Sequence, residues 1–93
     1  MSSITFAQRV TATPDTLINV IEGESVLLNL QSEKYFGLDE IGTSMWQALT
    51  NSESIEHAFA TLRDEYDVDE TRLRQDLTEL VEKLAAHGLV ELT

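Results

Sequence analysis

The sequence predicts an α+β domain, a three-stranded antiparallel sheet packed on a three-helix bundle. Three observations predict it. Residues 16–38 hold β-rich runs separated by short turns; from residue 39 the apolar period becomes helical; and a glycine followed by a short apolar tail closes the chain. At 93 residues the chain fits one compact unit, so residues 1–93 are read as a single domain.

Residues 1–14 mix small polar residues with Ile4, Phe6 and Val10, and Pro14 ends whatever short strand or extended arm forms there. The role of this arm is open. Thr16-Leu-Ile-Asn-Val-Ile and Val26-Leu-Leu-Asn-Leu flank Glu22-Gly23-Glu24-Ser25, which reads as a hairpin around a glycine turn. A second turn, Gln31-Ser32-Glu33, leads into Lys34-Tyr35-Phe36-Gly37-Leu38, whose glycine marks a bulge or a close backbone approach. This third strand is short and runs straight into a helix start, so one sheet edge is expected to be unpaired.

Asp39-Glu40 caps and starts a helix carrying Ile41, Met45, Trp46 and Leu49, closed by Thr50-Asn51-Ser52. Ser52 and Ser54 are alternative caps for a second helix with Ile55, Ala58, Phe59 and Leu62, and Tyr66 continues its apolar face. After the acidic connection Asp67-Val68-Asp69-Glu70, residues Leu73, Leu77, Leu80, Val81 and Leu84 form a long amphipathic stripe. His87-Gly88 ends it, and Leu89-Val90-Glu91-Leu92 returns as a short strand or wing. The three helices with this tail are winged-helix-like.

Charge narrows the partners. Six Lys and Arg against seventeen Asp and Glu give a formal net charge of -11, which repels polyanions and attracts basic protein surfaces. A nucleic-acid reader clusters its cations to displace counterions, whereas Arg9, Lys34, Arg63, Arg72, Arg74 and Lys83 are scattered among acids. There is no cysteine, which excludes disulfides and thiolate chemistry. No run is long and apolar enough for a membrane span and the N-terminus lacks a signal-peptide pattern, so the expected location is cytoplasmic.

The order Val26-Leu-Leu-Asn-Leu, Lys34-Tyr-Phe-Gly-Leu-Asp39, Trp46, Tyr66-Asp-Val-Asp69, Asp76 and Leu84-Ala-Ala-His-Gly-Leu-Val90 resembles the PqqD-like family. That family comprises the PqqD chaperone of pyrroloquinoline quinone synthesis and related recognition elements of ribosomally made peptide (RiPP) pathways, including stand-alone proteins of lasso peptide clusters. The resemblance runs from about Thr16 to Leu92. It implies a non-catalytic binding protein, without a cofactor, that adds a precursor's leader peptide as a strand beside the third strand, with the third helix as the other wall. It further implies separate modifying enzymes as partners, whether a leader peptidase, a cyclase or a radical enzyme; a lasso peptide pathway is favoured. Asp39 stands where many relatives carry Asn, and either caps a helix.

On that resemblance and spacing, Lys34, Tyr35, Phe36, Gly37 and Leu38 are expected to offer backbone pairing, with specificity supplied by pockets for alternate side chains. Arg74, Asp76, Leu77, Thr78 and Val81 of the third helix are expected as the opposite wall. Leader side chains would insert near Tyr35, Leu77 and Val81, and Arg74 and Asp76 would meet leader charges or free backbone groups. Because side chains alternate, Phe36 and Leu38 share one face and Tyr35 and Gly37 the other; which face is core stays open.

Plainer readings stand beside these. The third-helix stripe and Trp46 are what core packing alone would produce, and Tyr35 and Phe36 suit any strand. Asp64, Glu65, Asp67, Asp69 and Glu70 lack the glycine and spacing of a calcium loop, so no metal is assigned. His57 and His87 lie without ligand or catalytic spacing. Two other classes of function remain, an acidic winged-helix transcriptional regulator and a module that forms a homodimer through its free sheet edge.

Overall fold

The structure, a computed structural model, describes residues 4–93; the first three residues of the N-terminal arm lie outside it. In chain order the elements are β1 (Val10–Ala12), β2 (Thr16–Ile21), β3 (Glu24–Asn29), β4 (Lys34–Leu38), α1 (Glu40–Asn51), α2 (Ile55–Glu65), α3 (Glu70–Ala86) and β5 (Val90–Leu92). The expected architecture is present: β2, β3 and β4 form an antiparallel meander in that order, packed on three helices.

Residues 10–12 of the arm whose role was open form a strand. β1 pairs antiparallel with β5, Val10 opposite Leu92 and Ala12 opposite Val90, so the wing expected at the C-terminus is completed from the other end of the chain. Upstream of β1 the arm also serves α2. The carbonyls of Gln8 and Phe6 accept from the N–H groups of Ile55 and Glu56, two of the donors that a helix start leaves without an internal partner.

Glu22 and Gly23, at φ 52° and 86°, make a two-residue turn between β2 and β3. Positive φ at both central residues suits the right-handed twist of the strands on either side. The second turn is organised by Asn29. Its Oδ1 accepts from the N–H of Gln31 at 2.9 Å and of Ser32 at 3.3 Å, and its Nδ2 donates to the carbonyl of His87 at 3.0 Å.

Helix starts follow the sequence closely. Asp39 Oδ1 accepts from Gly42 N at 2.7 Å, Ser54 Oγ from His57 N at 3.1 Å, and Asp69 Oδ2 from Arg72 N at 3.0 Å. Each side chain satisfies an orphan donor, a contribution of about 1 kcal/mol. Ser52 proves to close α1 rather than open α2. Past α3, Gly88 takes φ 70°.

The core gathers Leu27 and Leu38 from the sheet, Met45, Trp46 and Leu49 from α1, Ile55, Ala58, Phe59 and Leu62 from α2, Leu73, Leu77, Val81 and Leu84 from α3, and Val10, Leu89 and Val90 from the ribbon. Each wholly buried leucine contributes roughly 1.5–3 kcal/mol. One polar pair is buried with them: the hydroxyls of Ser25 and Thr43 lie 2.7 Å apart and satisfy each other.

Candidate functional site: the free edge of β4 and the face of α3

The face of β4 is settled by its register. Ser25, Leu27 and Asn29 of β3 point into the protein, and their partners on β4 are Leu38, Phe36 and Lys34. Leu38 is accordingly buried and Phe36 half-buried, whereas Tyr35 is 74% exposed on the outer face. Gly37 pairs in regular register with Val26 and a Cβ there would meet nothing within 4 Å. The glycine therefore marks neither a bulge nor a tight approach.

Among the described residues β4 pairs only with β3, so one side of its main chain is free. Beyond that edge lies a cleft of about 420 Å³, floored by Phe36 to Asp39 and Gly42 and walled by Asp76, Glu79, Leu80 and Lys83 of α3. The Phe36 ring on its floor lies 5.1 Å from the imidazole of His87. That imidazole is itself held by Nδ1 at 2.7 Å from the carbonyl of Lys83.

At Asp76 the cleft meets a second, more apolar hollow of about 360 Å³ between α1, the end of α2 and the start of α3. Ile41, Met45, Leu62, Tyr66, Val68 and Leu73 line it, with Arg72 and Asp76 at the rim. Arg72 Nε stands 3.9 Å from Asp76 Oδ2, an exposed pair worth little by itself.

The expected wall of α3 is therefore partly corrected. Leu77 and Val81 are wholly buried and present no surface to the cleft. Arg74 lies off the cleft: its guanidinium sits 4.2 Å from the Phe59 ring centroid and 5.1 Å from that of Phe6, with Nη2 3.3 Å from Glu56 Oε1. Thr78 donates to the carbonyl of Arg74 at 2.8 Å and does not line the cleft either. Of the expected α3 residues, Asp76 alone joins the β4 edge, together with Glu79, Lys83 and, from the border of the amphipathic stripe, Leu80.

The cleft offers backbone hydrogen bonds from a strand edge, apolar surface from Phe36 and Leu80, and charges of both signs. Among the described residues no group of three or more His, Asp or Glu is placed to hold a metal ion; of the acidic connection, Asp69 caps α3 and Glu70 pairs with Arg63 at 3.1 Å. Nor is any helix among them long and apolar enough to cross a membrane.

An unpaired strand edge beside a helical wall is a surface onto which an extended segment can add as a further strand. The chain belongs to the family of coenzyme PQQ synthesis protein D (PqqD), whose pattern matches residues 24–90. Among solved structures it is similar to TbiB1 in complex with the TbiA(beta) leader peptide, at 32% identity and a TM-score of 0.80, over 87% of this chain and 94% of that one. It shares its fold with lasso peptide synthetase B1 complexed with the leader peptide, at 24% identity and a TM-score of 0.79, over 89% of this chain and 98% of that one. No curated protein sequence matches it significantly.

Proposed function

We propose that this protein binds the leader of a ribosomally synthesised precursor peptide and presents it, without catalysis of its own, to separate modifying enzymes of a lasso peptide pathway. The leader lies antiparallel or parallel along Lys34, Tyr35, Phe36, Gly37 and Leu38 as a fourth strand. Its inward side chains rest on Phe36 and Leu80, and one of them reaches past Asp76 into the hollow lined by Ile41, Met45 and Val68. Its outward side chains lie beside Tyr35. The observation that carries this reading is the unpaired β4 edge facing a cleft with α3, in a chain 32% identical to a protein solved with a leader peptide.

Strand addition supplies affinity through the main chain, and the two hollows supply selectivity for alternate side chains. The modifying enzyme, whether peptidase, cyclase or radical enzyme, would meet surfaces the leader leaves free, in the cytoplasm. The test is an isotope-labelled NMR titration with the leader encoded beside the gene, and in parallel with a DNA duplex. Saturable shifts at residues 34–38 and at Asp76, Leu80 and Lys83, with no response to DNA, are expected. A response to DNA alone would make the protein an acidic winged-helix regulator and overturn the proposal.

A further inference from the structure

The sheet has a second free edge, and it too faces a helix. Among the described residues β2 pairs only with β3. Beside it runs a cleft of about 380 Å³ in which Val20 of β2 faces Glu40, Ser44 and Gln47 of α1 and the ring of Tyr66. Tyr66 is pinned there by its hydroxyl, which donates to Ser44 Oγ at 2.8 Å. The arrangement on β2 and α1 thus repeats that on β4 and α3: a strand edge, a trough and a helical wall.

β2 lacks the devices that normally keep an edge from pairing, namely a lysine, a proline or a bulge. It has six residues, Thr-Leu-Ile-Asn-Val-Ile, none of them charged, paired in unbroken register with β3. Leu17, Ile18, Val20 and Ile21 are all exposed. A strand of this composition left bare is a hazard to a soluble protein, and its retention is explained by an occupant.

The surrounding charges say which occupant. Asp15 precedes β2, Glu22 and Glu24 follow it, and residues 15–30 contain no Lys, Arg or His. Glu40 lies over the turn, its Cγ 3.4 Å from where a Cβ on Gly23 would stand. A second copy of the chain is disfavoured. Antiparallel pairing of the whole strand with itself sets Asp15 opposite Glu22 at both ends, parallel pairing sets each acid opposite itself, and directly opposed like charges destabilise a strand pair.

We propose that β2 and α1 form a second docking groove, which accepts an extended, uncharged, β-branched segment of a partner protein flanked by Lys or Arg. Its apolar side chains enter the trough beside Val20 and its cations meet Asp15, Glu22 and Glu40. β3 separates the two strand edges, but Ile41 and Tyr66 line both this groove and the hollow beside the β4 cleft, so the two grooves share a wall; the proposal does not depend on what occupies the β4 edge.

The test uses the full chain, isotope-labelled, titrated with a capped synthetic peptide of alternating valine and threonine bearing two lysines at each end, and with a twin bearing glutamates instead. Saturable shifts at residues 16–21 and 40–47 with the lysine peptide, weakening as salt is raised and absent with the glutamate twin, are expected. Val20→Lys should weaken that binding at least fivefold, and Glu40→Lys, on the exposed start of α1, gives the same reading should Val20→Lys unfold. Shifts confined to residues 34–38, equal responses to both peptides, or no response would overturn the proposal. So would sedimentation of the unliganded protein as a dimer that Val20→Lys dissociates.

Discussion

Asn29 on β3 donates through Nδ2 to the carbonyl of His87, the residue that closes α3, at 3.0 Å. This side chain ties the sheet to the end of the helix that faces β4, while its Oδ1 shapes the turn into β4. Asn29→Ala should lower stability by about 1–2 kcal/mol, since it removes part-buried hydrogen bonds to His87, Gln31 and Ser32, each contributing roughly 0.5–1.5 kcal/mol at most. It should also weaken leader binding beyond that loss, because the spacing of β4 and α3 is no longer fixed. Urea denaturation and leader titration of the same variant measure the two effects separately.

The cleft residues predict a sign for each substitution along α3. Leu80→Asp should lower leader affinity tenfold or more in calorimetric titration while the protein stays folded, since Leu80 is only half-buried. Arg74→Glu should leave affinity within about twofold. Val81→Asp should unfold the domain rather than impair binding selectively, because it buries a carboxylate in the core. Its circular dichroism at 25 °C should show the loss.

Two glycines should respond oppositely to alanine. Gly37→Ala should be tolerated within roughly 0.5 kcal/mol, since its Cβ enters open space. Gly88→Ala should cost about 1–2 kcal/mol, since it forces a side chain onto φ 70° with its Cβ 3.0 Å from Asn29 Nδ2. Thermal melts of the two variants should therefore separate by several degrees.

Arg74 has a structural duty of its own. It covers the Phe59 ring and the Phe6 ring that meets Phe59 edge-on at 6.3 Å. Arg74→Ala should lose about 1 kcal/mol from this cation–π stack. It should also raise amide exchange at Ile55 and Glu56, whose N–H groups depend on the arm that Phe6 anchors. Hydrogen exchange read by NMR checks both residues.

Most of the fold was legible because period, caps and turn residues agree along the chain. Asp39 announces α1, the Glu22-Gly23 turn announces the hairpin, and Gly88 marks the end of α3. The β1–β5 ribbon was not legible as a pair, since Val10 and Leu92 lie at opposite ends of the sequence and three-residue strands carry almost no periodic signal. The candidate site was half legible. The β4 edge follows from the length and position of Lys34 to Leu38, but grouping Arg74 with Asp76 as one wall neglected helix geometry. Residues two apart point roughly 200° away from each other on a helix. The wall on Asp76's side continues through Glu79, Leu80 and Lys83, and Leu80 was hidden because it borders the buried stripe of Leu73, Leu77, Val81 and Leu84.

The β1–β5 ribbon also ties an early stretch of the chain to a late one. Arg9 and Thr93 exchange backbone hydrogen bonds at 2.9 and 3.1 Å, and one residue upstream the carbonyl of Gln8 accepts from the N–H of Ile55. Residues so far apart in sequence meet only by closing a long loop of chain, whose entropy cost delays their pairing. The ribbon should therefore zip late in folding, after the meander and the helices have formed.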